Sequence, residues 1–370
     1  MTIGIDVRAL MEGRTTGVQV YIVNLLHSLF KLDRKNDYIL FANSYGKTVL
    51  PAFEYPNVSR VITRYPNKIF NFFQKFFAFP KIDKLLRGVD LFFSPHWRAV
   101  ALSKKIPLVI TVHDLSYELF PEFFTLRQRL WHRLMDYRQA ARVANKIIAV
   151  SRGTKRDVEK IYNVEAGKIE VIYSGVSLSR GASRLKAPER YFLYFGTFEP
   201  RKNLDNLLEA YKKYHSVSRS KKKLVLAGSR GWKTDLTVPV ELKDSIRVFR
   251  DVSEDDKARL YRGAYAFLFL SFYEGFGFPI LEAAAAGAPV ICSFAASLAE
   301  VGKSFALFVN PLRPAQTAKA MTALENDREL YESLKAQGLL AARKFNWENT
   351  AARTLSLFES VAGGKDKYDA

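Results

Sequence analysis

The segment Phe267–Ser293, FLFLSFYEGFGFPILEAAAAGAPVICS, most constrains what this chain can fold into. It begins with an apolar run, Phe267–Leu270, that has the length and composition of a buried strand. The break at Gly277 predicts a turn after that strand. Pro279 suits the first position of a helix because its nitrogen carries no hydrogen to leave unpaired there, and Gly287 marks the helix end. The segment therefore predicts a strand, a glycine-bearing loop, a short helix and a second strand.

This order of elements predicts a place where an anion can bind. The backbone amides in the first turn of a helix lack partners within the helix and carry about half a positive charge. Glu274 precedes the helix and Glu282 follows eight positions later in its first turns, so both carboxylates can border one ligand. One could hold a sugar hydroxyl and the other a ribose. From the residues alone, Glu282 could equally complement the helix dipole, and Glu274 could be solvated.

The run from Glu274 to Glu282, EGFGFPILE, followed by an alanine-rich helix and Gly287-Ala-Pro-Val, resembles the E-x7-E signature of the family 4 retaining glycosyltransferases. Further motifs extend the resemblance over nearly the whole chain. It implies an α/β fold of two facing Rossmann-like domains, the GT-B architecture, with a C-terminal helix crossing back to the N-terminal domain. The residues it implies are His113, Arg201, Lys202 and Glu274 for catalysis, and Gly17, Gly196, Gly277, Phe278, Pro279, Ile280 and Glu282 for the donor.

The length of 370 residues is large for a single hydrophobic core, so two domains are expected. Strand and helix patterns alternate in both halves, which predicts parallel sheets wrapped by helices. We expect an N-terminal acceptor-binding domain over 1–173, a nucleotide-sugar-binding domain over 190–345, and a crossover helix and tail over 346–370. The linker, 174–189, is placed where the apolar periodicity is lost.

The loop that opens the second half, from Gly196 to Lys202, resembles the family's R/K-K-N-L segment, which contacts the donor diphosphate. Arg201 can fork two phosphate oxygens and Lys202 adds a point charge, so a leaving diphosphate can be neutralised without a metal. The sequence contains no Asp-x-Asp pair. We therefore expect neither a metal nor another cofactor. Without the resemblance, the segment could be a solvated basic loop.

The first half carries two further features of the resemblance. Gly17 lies between a strand and a helix, where the family has a glycine-bearing turn near the donor phosphates, although Gln19 departs from its commoner G-x-G form. A plain turn at Gly17 stays open. His113 and Asp114 follow the predicted strand Leu108–Val112, at the edge where open α/β sheets hold ligands, and the family has a similar pair near the transferred sugar. Alone, His113 could be an ordinary loop residue.

The single cysteine, Cys292, lies in an apparent buried strand, so an internal disulfide is excluded and a reducing compartment is indicated. A zinc cluster is not expected. The sequence shows no signal-peptide pattern and no apolar run of membrane-spanning length. We expect a cytoplasmic protein, or one that is peripheral on the inner face of the cytoplasmic membrane.

The net charge of +20 is large enough to attract anionic surfaces. Residues 1–173 hold 27 Lys and Arg against 15 Asp and Glu, a net charge of +12. In this half, the Phe-rich segment 69–86 is interleaved with lysines, and the segment 126–146 carries arginines beside Trp131. Either segment could lie in the interface of an anionic membrane, or be a core helix with a solvated charged face. The charge is also consistent with a basic soluble protein in which it only aids solubility.

Together with the resemblance, these observations predict a retaining, metal-independent transferase. It would move a hexose from a nucleotide-sugar to a saccharide or lipid-linked saccharide acceptor in polysaccharide or lipopolysaccharide assembly. GDP-mannose is the first expected donor, because Phe272–Pro279 is similar to bacterial mannosyltransferases; UDP-glucose, UDP-N-acetylhexosamines and dTDP-rhamnose stay open. The alternatives are an inactive sugar-binding or scaffold protein and a basic nucleic-acid-binding protein. Nucleic acid is not an expected partner because it would not explain the acidic pair. The oligomeric state is not predicted.

Overall fold

A computed structural model describes residues 1–11, 16–46, 50–183, 185–233 and 236–363 of the chain. Arg184 in the predicted linker and the tail after Gly363 lie outside the described residues. The backbone contacts divide the chain into two compact units. Unit 1 comprises Met1–Leu115, Leu130–Gly175 and the chain from Trp347 onward, and unit 2 comprises Ser116–Arg129 and Val176–Asn346.

The regular elements alternate between strand and helix along most of the chain. The strands are β1 (Thr2–Asp6), β2 (Asp37–Asn43), β3 (Val58–Thr63), β4 (Leu91–Ser94), β5 (Leu108–Val112), β6 (Lys146–Ala149), β7 (Ile169–Val171), β8 (Tyr191–Phe195), β9 (Leu224–Gly228), β10 (Ile246–Arg250), β11 (Ala264–Phe269), β12 (Val290–Ser293) and β13 (Ala306–Val309). The α-helices are α1 (Gly17–Leu32), α2 (Asn67–Phe76), α3 (Ile82–Leu85), α4 (Ser116–Leu119), α5 (Leu126–Met135), α6 (Tyr137–Val143), α7 (Arg152–Tyr162), α8 (Leu204–Val217), α9 (Glu254–Gly263), α10 (Phe278–Ala285), α11 (Ala296–Val301), α12 (Pro314–Asn326), α13 (Arg328–Ala342) and α14 (Trp347–Gly363). Short 3-10 helices cover Arg8–Met11, Pro121–Phe123, Ala166–Lys168, Pro200–Lys202 and Val240–Leu242.

Unit 1 is built on a seven-stranded sheet with the order β3-β2-β1-β4-β5-β6-β7. Every neighbouring pair of these strands is parallel. Strand β3 was not predicted from the sequence. It lies at the edge of the sheet and much of it is exposed, so it has no continuous apolar run. The strand order reverses between β1 and β4, which are paired directly with each other.

Unit 2 is built on a six-stranded sheet with the order β10-β9-β8-β11-β12-β13, again with all neighbours parallel. Every residue of β9 and β11 is buried, and only the last residue of β8 is partly exposed. Such strands read as continuous apolar runs because helices cover both faces of a parallel sheet. The predicted burial of Cys292 in a strand is confirmed, since it lies in β12 and is fully buried.

The C-terminal helix α14 packs within unit 1. Its Phe358 ring lies 5.0 Å from the ring of Phe93 in β4, and Trp347 meets Tyr21 of α1 edge-on with ring centroids 6.0 Å apart. Thr350 Oγ1 donates a hydrogen bond of 2.8 Å to the Tyr173 carbonyl. The predicted return of this helix to the N-terminal part of the chain is therefore seen.

The segment Ser116–Arg129 packs with unit 2, an excursion that the sequence did not indicate. Its Phe123 ring stacks on Phe272 with centroids 5.6 Å apart, and the Trp232 indole donates a 2.8 Å hydrogen bond to the Phe123 carbonyl. The stacking contact joins the segment to Phe272, two residues before Glu274. Within the described part of the chain, no helix has both the length and the apolarity needed to cross a bilayer.

Candidate active site

The two loops predicted to hold the donor leave adjacent strands of unit 2. Strands β8 and β11 are paired, and the chain continues from β8 to β9 on one side and from β11 to β12 on the other. The strand order therefore reverses between them, and the loops at their carboxyl ends begin side by side. In open parallel sheets this crevice is the usual ligand site.

The strand, loop, helix and strand predicted for Phe267–Ser293 are present as β11, α10 and β12. Gly277 is the residue at the start of α10, and its φ of +113° lies in the left-handed region. A Cβ at this position would lie 2.8 Å from Leu298 Cδ2, so both the conformation and the space require glycine. Pro279 stands in the first turn, and no side chain of the described residues caps the helix start. The dipole of α10 can therefore act on an anion placed there.

Glu274 lies between the two predicted cations. Its Oε1 accepts a hydrogen bond of 2.5 Å from Lys202 Nζ, and its Oε2 accepts one of 3.0 Å from Arg201 Nη1. Lys202 and Glu274 are each only 8% exposed, so this ion pair is screened little by water. The structure thus brings together three of the four residues predicted for catalysis.

The guanidinium of Arg201 has more protein partners than the sequence indicated. Its Nη2 and Nε donate to Glu199 Oε1 at 2.7 and 3.0 Å, and its Nη1 also donates to the Tyr273 carbonyl at 2.7 Å. Two of the guanidinium nitrogens that were expected to bind phosphate oxygens thus donate to Glu199 instead. Arg201 therefore ties the loop after β8 to the loop after β11, and it fixes the Glu274 carboxylate between them.

The protonation state of Glu274 follows from its surroundings. Burial alone would raise the pKa of its carboxyl, but the charges of Arg201 and Lys202 outweigh burial and lower the pKa to about 2. Glu274 is therefore a carboxylate at any physiological pH. An ionised carboxylate only accepts hydrogen bonds, so it can receive them from sugar hydroxyls but cannot act as an acid.

Glu282 projects from α10 into a second buried ion pair. Its Oε1 lies 2.9 Å from Lys257 Nζ of α9, and Lys257 also reaches Glu254 at 2.7 Å. Burial raises the pKa of the Glu282 carboxyl, although Lys257 opposes the shift. Burial likewise raises the pKa of the neighbouring Tyr261 phenol well above its usual value, and the Glu282 charge adds to that shift.

The remaining predicted donor residues of unit 2 have no polar side-chain atom, so only their backbone could form hydrogen bonds with a ligand. Gly196 directly follows β8, and Gly228 approaches it so closely that a Cβ on Gly228 would lie 2.0 Å from the Gly196 carbonyl oxygen. Ile280 is fully buried. The Phe278 ring meets Phe276 edge-on with centroids 5.2 Å apart.

In unit 1, Gly17 is the first residue of α1 rather than part of a free turn. Thr16 caps this helix, and its backbone amide donates to Gln19 Oε1 at 3.3 Å, which completes a capping box. Gln19 Nε2 also donates to the Ala9 carbonyl at 3.0 Å. Gln19, which departs from the family's G-x-G form, therefore helps to cap the N-terminus of α1 through its side chain.

His113 lies directly after β5 in unit 1, as predicted. Its Nε2 is 2.8 Å from the Pro95 carbonyl oxygen, which can only accept, so Nε2 carries the hydrogen and Nδ1 is the acceptor. The ring meets Tyr21 edge-on with centroids 4.8 Å apart. Burial lowers the pKa of His113, so the imidazole is neutral at pH 7.

Sequence reasoning missed Glu199, Lys257 and Asn203 in this site. Asn203 follows Lys202 with a left-handed φ of 60°, and its Nδ2 donates to the carbonyls of Leu270 and Pro311 at 3.2 and 2.8 Å. Only Asn203 had a sequence signal, since it belongs to the R/K-K-N-L segment. Within the described ranges, no three His, Cys, Asp or Glu side chains come together as metal ligands would.

Two family descriptions match successive parts of the chain and together span residues 15–340. "Glycosyltransferase Family 4" matches residues 15–180, and "Glycosyl transferases group 1" matches residues 177–340. O-antigen chain mannosyltransferase B of Escherichia coli is 32% identical over 267 residues, which cover 68% of this chain and 70% of that protein. O-antigen chain mannosyltransferase RfbU of Salmonella typhimurium is 34% identical over 213 residues, 56% of this chain and 58% of that protein.

Among solved structures, sucrose-phosphate synthase from Thermosynechococcus elongatus aligns with a TM-score of 0.76 at 19% identity, over 98% of this chain and 99% of that one. This likeness confirms the predicted fold class, a GT-B fold of two parallel-sheet α/β units. The chain belongs to the family 4 glycosyltransferases. The predicted enzyme class is thereby confirmed, and an enzyme is favoured over the two alternatives that the sequence left open.

Proposed function

We propose that this glycosyltransferase moves mannose from GDP-mannose to a saccharide acceptor, with retention of anomeric configuration, in the assembly of a cell-surface polysaccharide. The observation that carries the proposal is the buried contact between Lys202 and Glu274 in the crevice between β8 and β11. A cation suited to phosphate and a carboxylate suited to sugar hydroxyls thus meet in one site. The choice of mannose is supported by the names of the two curated relatives, both O-antigen mannosyltransferases.

Lys202 and the start of α10 are proposed to stabilise the negative charge of the leaving diphosphate. Breaking the bond between the anomeric carbon and its phosphate oxygen leaves negative charge on the diphosphate. The Lys202 ammonium has three N–H donors and uses one on Glu274, so it can also donate hydrogen bonds to phosphate oxygens. Arg201 is the less direct participant, because its fork is engaged by Glu199, Glu274 and the Tyr273 carbonyl. It positions the other two groups and adds its charge at short range.

Glu274 is proposed to bind the transferred sugar, as the resemblance implies. Because Glu274 stays ionised and is held from two sides, its position is fixed before the sugar arrives. We propose that a sugar hydroxyl donates a hydrogen bond to it. Retention then follows from attack on the same face that the diphosphate leaves. The acceptor oxygen bonds to the anomeric carbon, and its proton passes to a donor phosphate oxygen.

Glu282 is proposed to bind the ribose of the nucleotide. Lys257 holds its Oε1 at 2.9 Å, and we propose that a ribose hydroxyl donates to this carboxylate. A ribose contact lies away from the bond that breaks, so it contributes equally to ground-state and transition-state binding. The acceptor is proposed to be a saccharide or lipid-linked saccharide.

A thermal-shift screen of nucleotide-sugars, followed by a transfer assay with the donor that binds, tests this function. GDP-mannose at 100 times its dissociation constant should stabilise the fold by about 2.7 kcal/mol. UDP-glucose, UDP-N-acetylhexosamines and dTDP-rhamnose serve as competing donors. A larger thermal shift with one of these donors would contradict GDP-mannose as the donor, but it would not contradict the assignment of the site. Binding of GDP-mannose without transfer or hydrolysis would instead contradict an active enzyme.

A further inference from the structure

Helix α2 of unit 1 turns large apolar side chains towards solvent. Ile69, Phe72, Phe73 and Phe76 are 56%, 51%, 40% and 58% exposed, and Phe77, which follows the helix, is 62% exposed. Phenylalanine is among the residues most often buried, and a group of exposed rings on one short helix marks an interaction surface. Single exposed apolar residues would need no explanation, but this group does.

The orientation of α2 is fixed by its opposite side. Gln74 is buried, its Nε2 donates to the Pro80 carbonyl at 2.6 Å, and its Oε1 accepts from the Ala101 amide at 2.9 Å. Phe70, one turn earlier, is buried and stacks on Tyr65 with centroids 5.6 Å apart. These contacts hold the helix in place without using the exposed rings. The aromatic side cannot turn inward unless the Gln74 hydrogen bonds break.

The exposed rings form one cluster. The Phe72 and Phe76 centroids lie 4.9 Å apart, and those of Phe73 and Phe77 lie 5.2 Å apart. Lys68 precedes Phe72 by one helical turn, so it lies on the same side of the helix. We call Lys68, Ile69, Phe72, Phe73, Phe76 and Phe77 the α2 face.

The surroundings of the α2 face are strongly basic. The segment from residue 64 to residue 87 holds six cations against one acid, Asp83, which is buried and accepts from the Ser103 amide. Four of these cations are exposed, and no carboxylate of the described residues forms an ion pair with them: Arg64, Lys68, Lys84 and Arg87. Aromatic rings among unpaired cations suit a surface that is apolar beneath an anionic layer.

A second group of exposed apolar residues lies near the end of α2. Lys75 Nζ donates to the Met135 carbonyl at 3.0 Å, which places the end of α5 beside α2. Within unit 1, Trp131 and Leu134 of α5 are 52% and 48% exposed. Tryptophan is enriched where proteins meet the boundary between lipid and water.

We propose that the α2 face binds the interface of an anionic lipid bilayer, with the phenylalanine rings at the acyl boundary and the cations at the headgroups. A second copy of this chain suits the face less well, because each copy would bring unpaired cations against those of the other. The purpose of the contact rests on the proposed lipid-linked acceptor. The contact itself rests only on the exposure, charge and packing of α2.

Co-sedimentation with vesicles tests the proposal directly. The protein should partition into vesicles of phosphatidylglycerol and phosphatidylcholine, less into phosphatidylcholine alone, and less again as salt rises. Phe72→Ser with Phe76→Ser should lower the partition coefficient by about tenfold. Val217→Ser with Leu340→Ser removes two exposed apolar side chains of unit 2 and should leave it unchanged. Equal partition of the unmutated protein into neutral and anionic vesicles would overturn the proposal.

A labelling experiment gives a readout that does not depend on the serine variants. Cys292 is fully buried, so a cysteine introduced at the surface can be labelled selectively. A polarity-sensitive dye on Phe76→Cys should shift to the blue with anionic vesicles, whereas the same dye on Leu340→Cys should not. An unshifted dye on a protein that sediments with vesicles would show that another surface binds, and would overturn the assignment to α2.

Two further measurements separate this proposal from the proposed function. Transfer to a soluble saccharide acceptor should be the same for the unmutated protein and for Phe72→Ser with Phe76→Ser, because neither ring belongs to the donor site. Loss of vesicle binding with normal transfer to a soluble acceptor supports the α2 face. Sedimentation velocity that shows a dimer abolished by the same pair of substitutions, with no vesicle binding, would overturn the bilayer as the partner.

Discussion

Lys202 Nζ lies 2.5 Å from Glu274 Oε1, and both side chains are almost fully buried. The contact joins the loop after β8 to the loop after β11, which leave neighbouring strands of one sheet. Two buried charges of opposite sign are retained only where their partners fit well, because removing both from water is costly. The pair is therefore a fixed element of the site, set before a donor binds.

The first prediction concerns stability at acid pH. The pKa of Glu274 is lowered from 4.5 to about 2 in the folded protein. The group therefore contributes stability above its unfolded pKa, about 3 kcal/mol, and this contribution is lost as pH falls towards 2. Urea unfolding at a series of pH values should show a gap between the unmutated protein and Glu274→Gln that narrows from pH 5 to pH 2. A gap that is constant with pH would contradict the assignment.

The second prediction concerns the pair formed by Lys257 and Glu282. Lys257→Met should destabilise the fold by about 3–5 kcal/mol, because it leaves a buried carboxylate without its partner. Adding Glu282→Leu should restore much of that stability. Donor KM should stay raised in the double variant while kcat changes little, because a ribose contact acts on binding. Recovery of donor KM together with stability would show that Glu282 does not hold the nucleotide.

The third prediction concerns the glycine at the start of α10. Gly277→Ala should destabilise the fold and raise donor KM, because the residue has a positive φ and its Cβ would lie 2.8 Å from Leu298 Cδ2. Gly167→Ala is the matched control, since no atom lies within 4 Å of its Cβ position and its φ is not positive. Thermal melts and donor titrations compare the two. Equal effects of both substitutions would contradict the conclusion that the start of α10 requires glycine.

The fourth prediction is that the transfer rate does not depend on a divalent cation. In the proposed mechanism, Lys202 and the dipole of α10 stabilise the leaving diphosphate, which is the role that a bound magnesium ion would otherwise fill. The initial rate should be nearly unchanged by excess chelator. A rate abolished by chelator and restored by magnesium or manganese would contradict this part of the mechanism.

The local chain order of the site could be predicted from sequence, but its long-range partners could not. Apolar runs bounded by glycine and proline are local signals, so β11, the loop and α10 were placed within a few residues. Glu199, which holds Arg201, lies in an ordinary polar turn and had no such signal. Lys257 is 25 residues from Glu282 in sequence and meets it only because α9 packs near α10.

The same limit applies to the fold. The parallel sheets followed from alternating strand and helix patterns, whereas the exposed edge strand β3 was missed because it lacks a continuous apolar run. The segment Ser116–Arg129 packs in unit 2 through aromatic ring contacts with Phe272 and Tyr273, which are set by tertiary packing. The direction of the α2 rings also could not be predicted, because periodicity identifies an amphipathic helix but not which side the fold buries.

The most direct test of the account is the steady-state turnover of GDP-mannose by Lys202→Ala and Glu274→Ala, each checked for folding by circular dichroism. Both should lower kcat by about 10²-fold or more, the scale of losing one preorganised electrostatic contact. Lys319→Ala removes an exposed lysine of α12 and should leave kcat unchanged. If both site variants were folded and turned over donor at the unmutated rate, the assignment of the active site would be wrong.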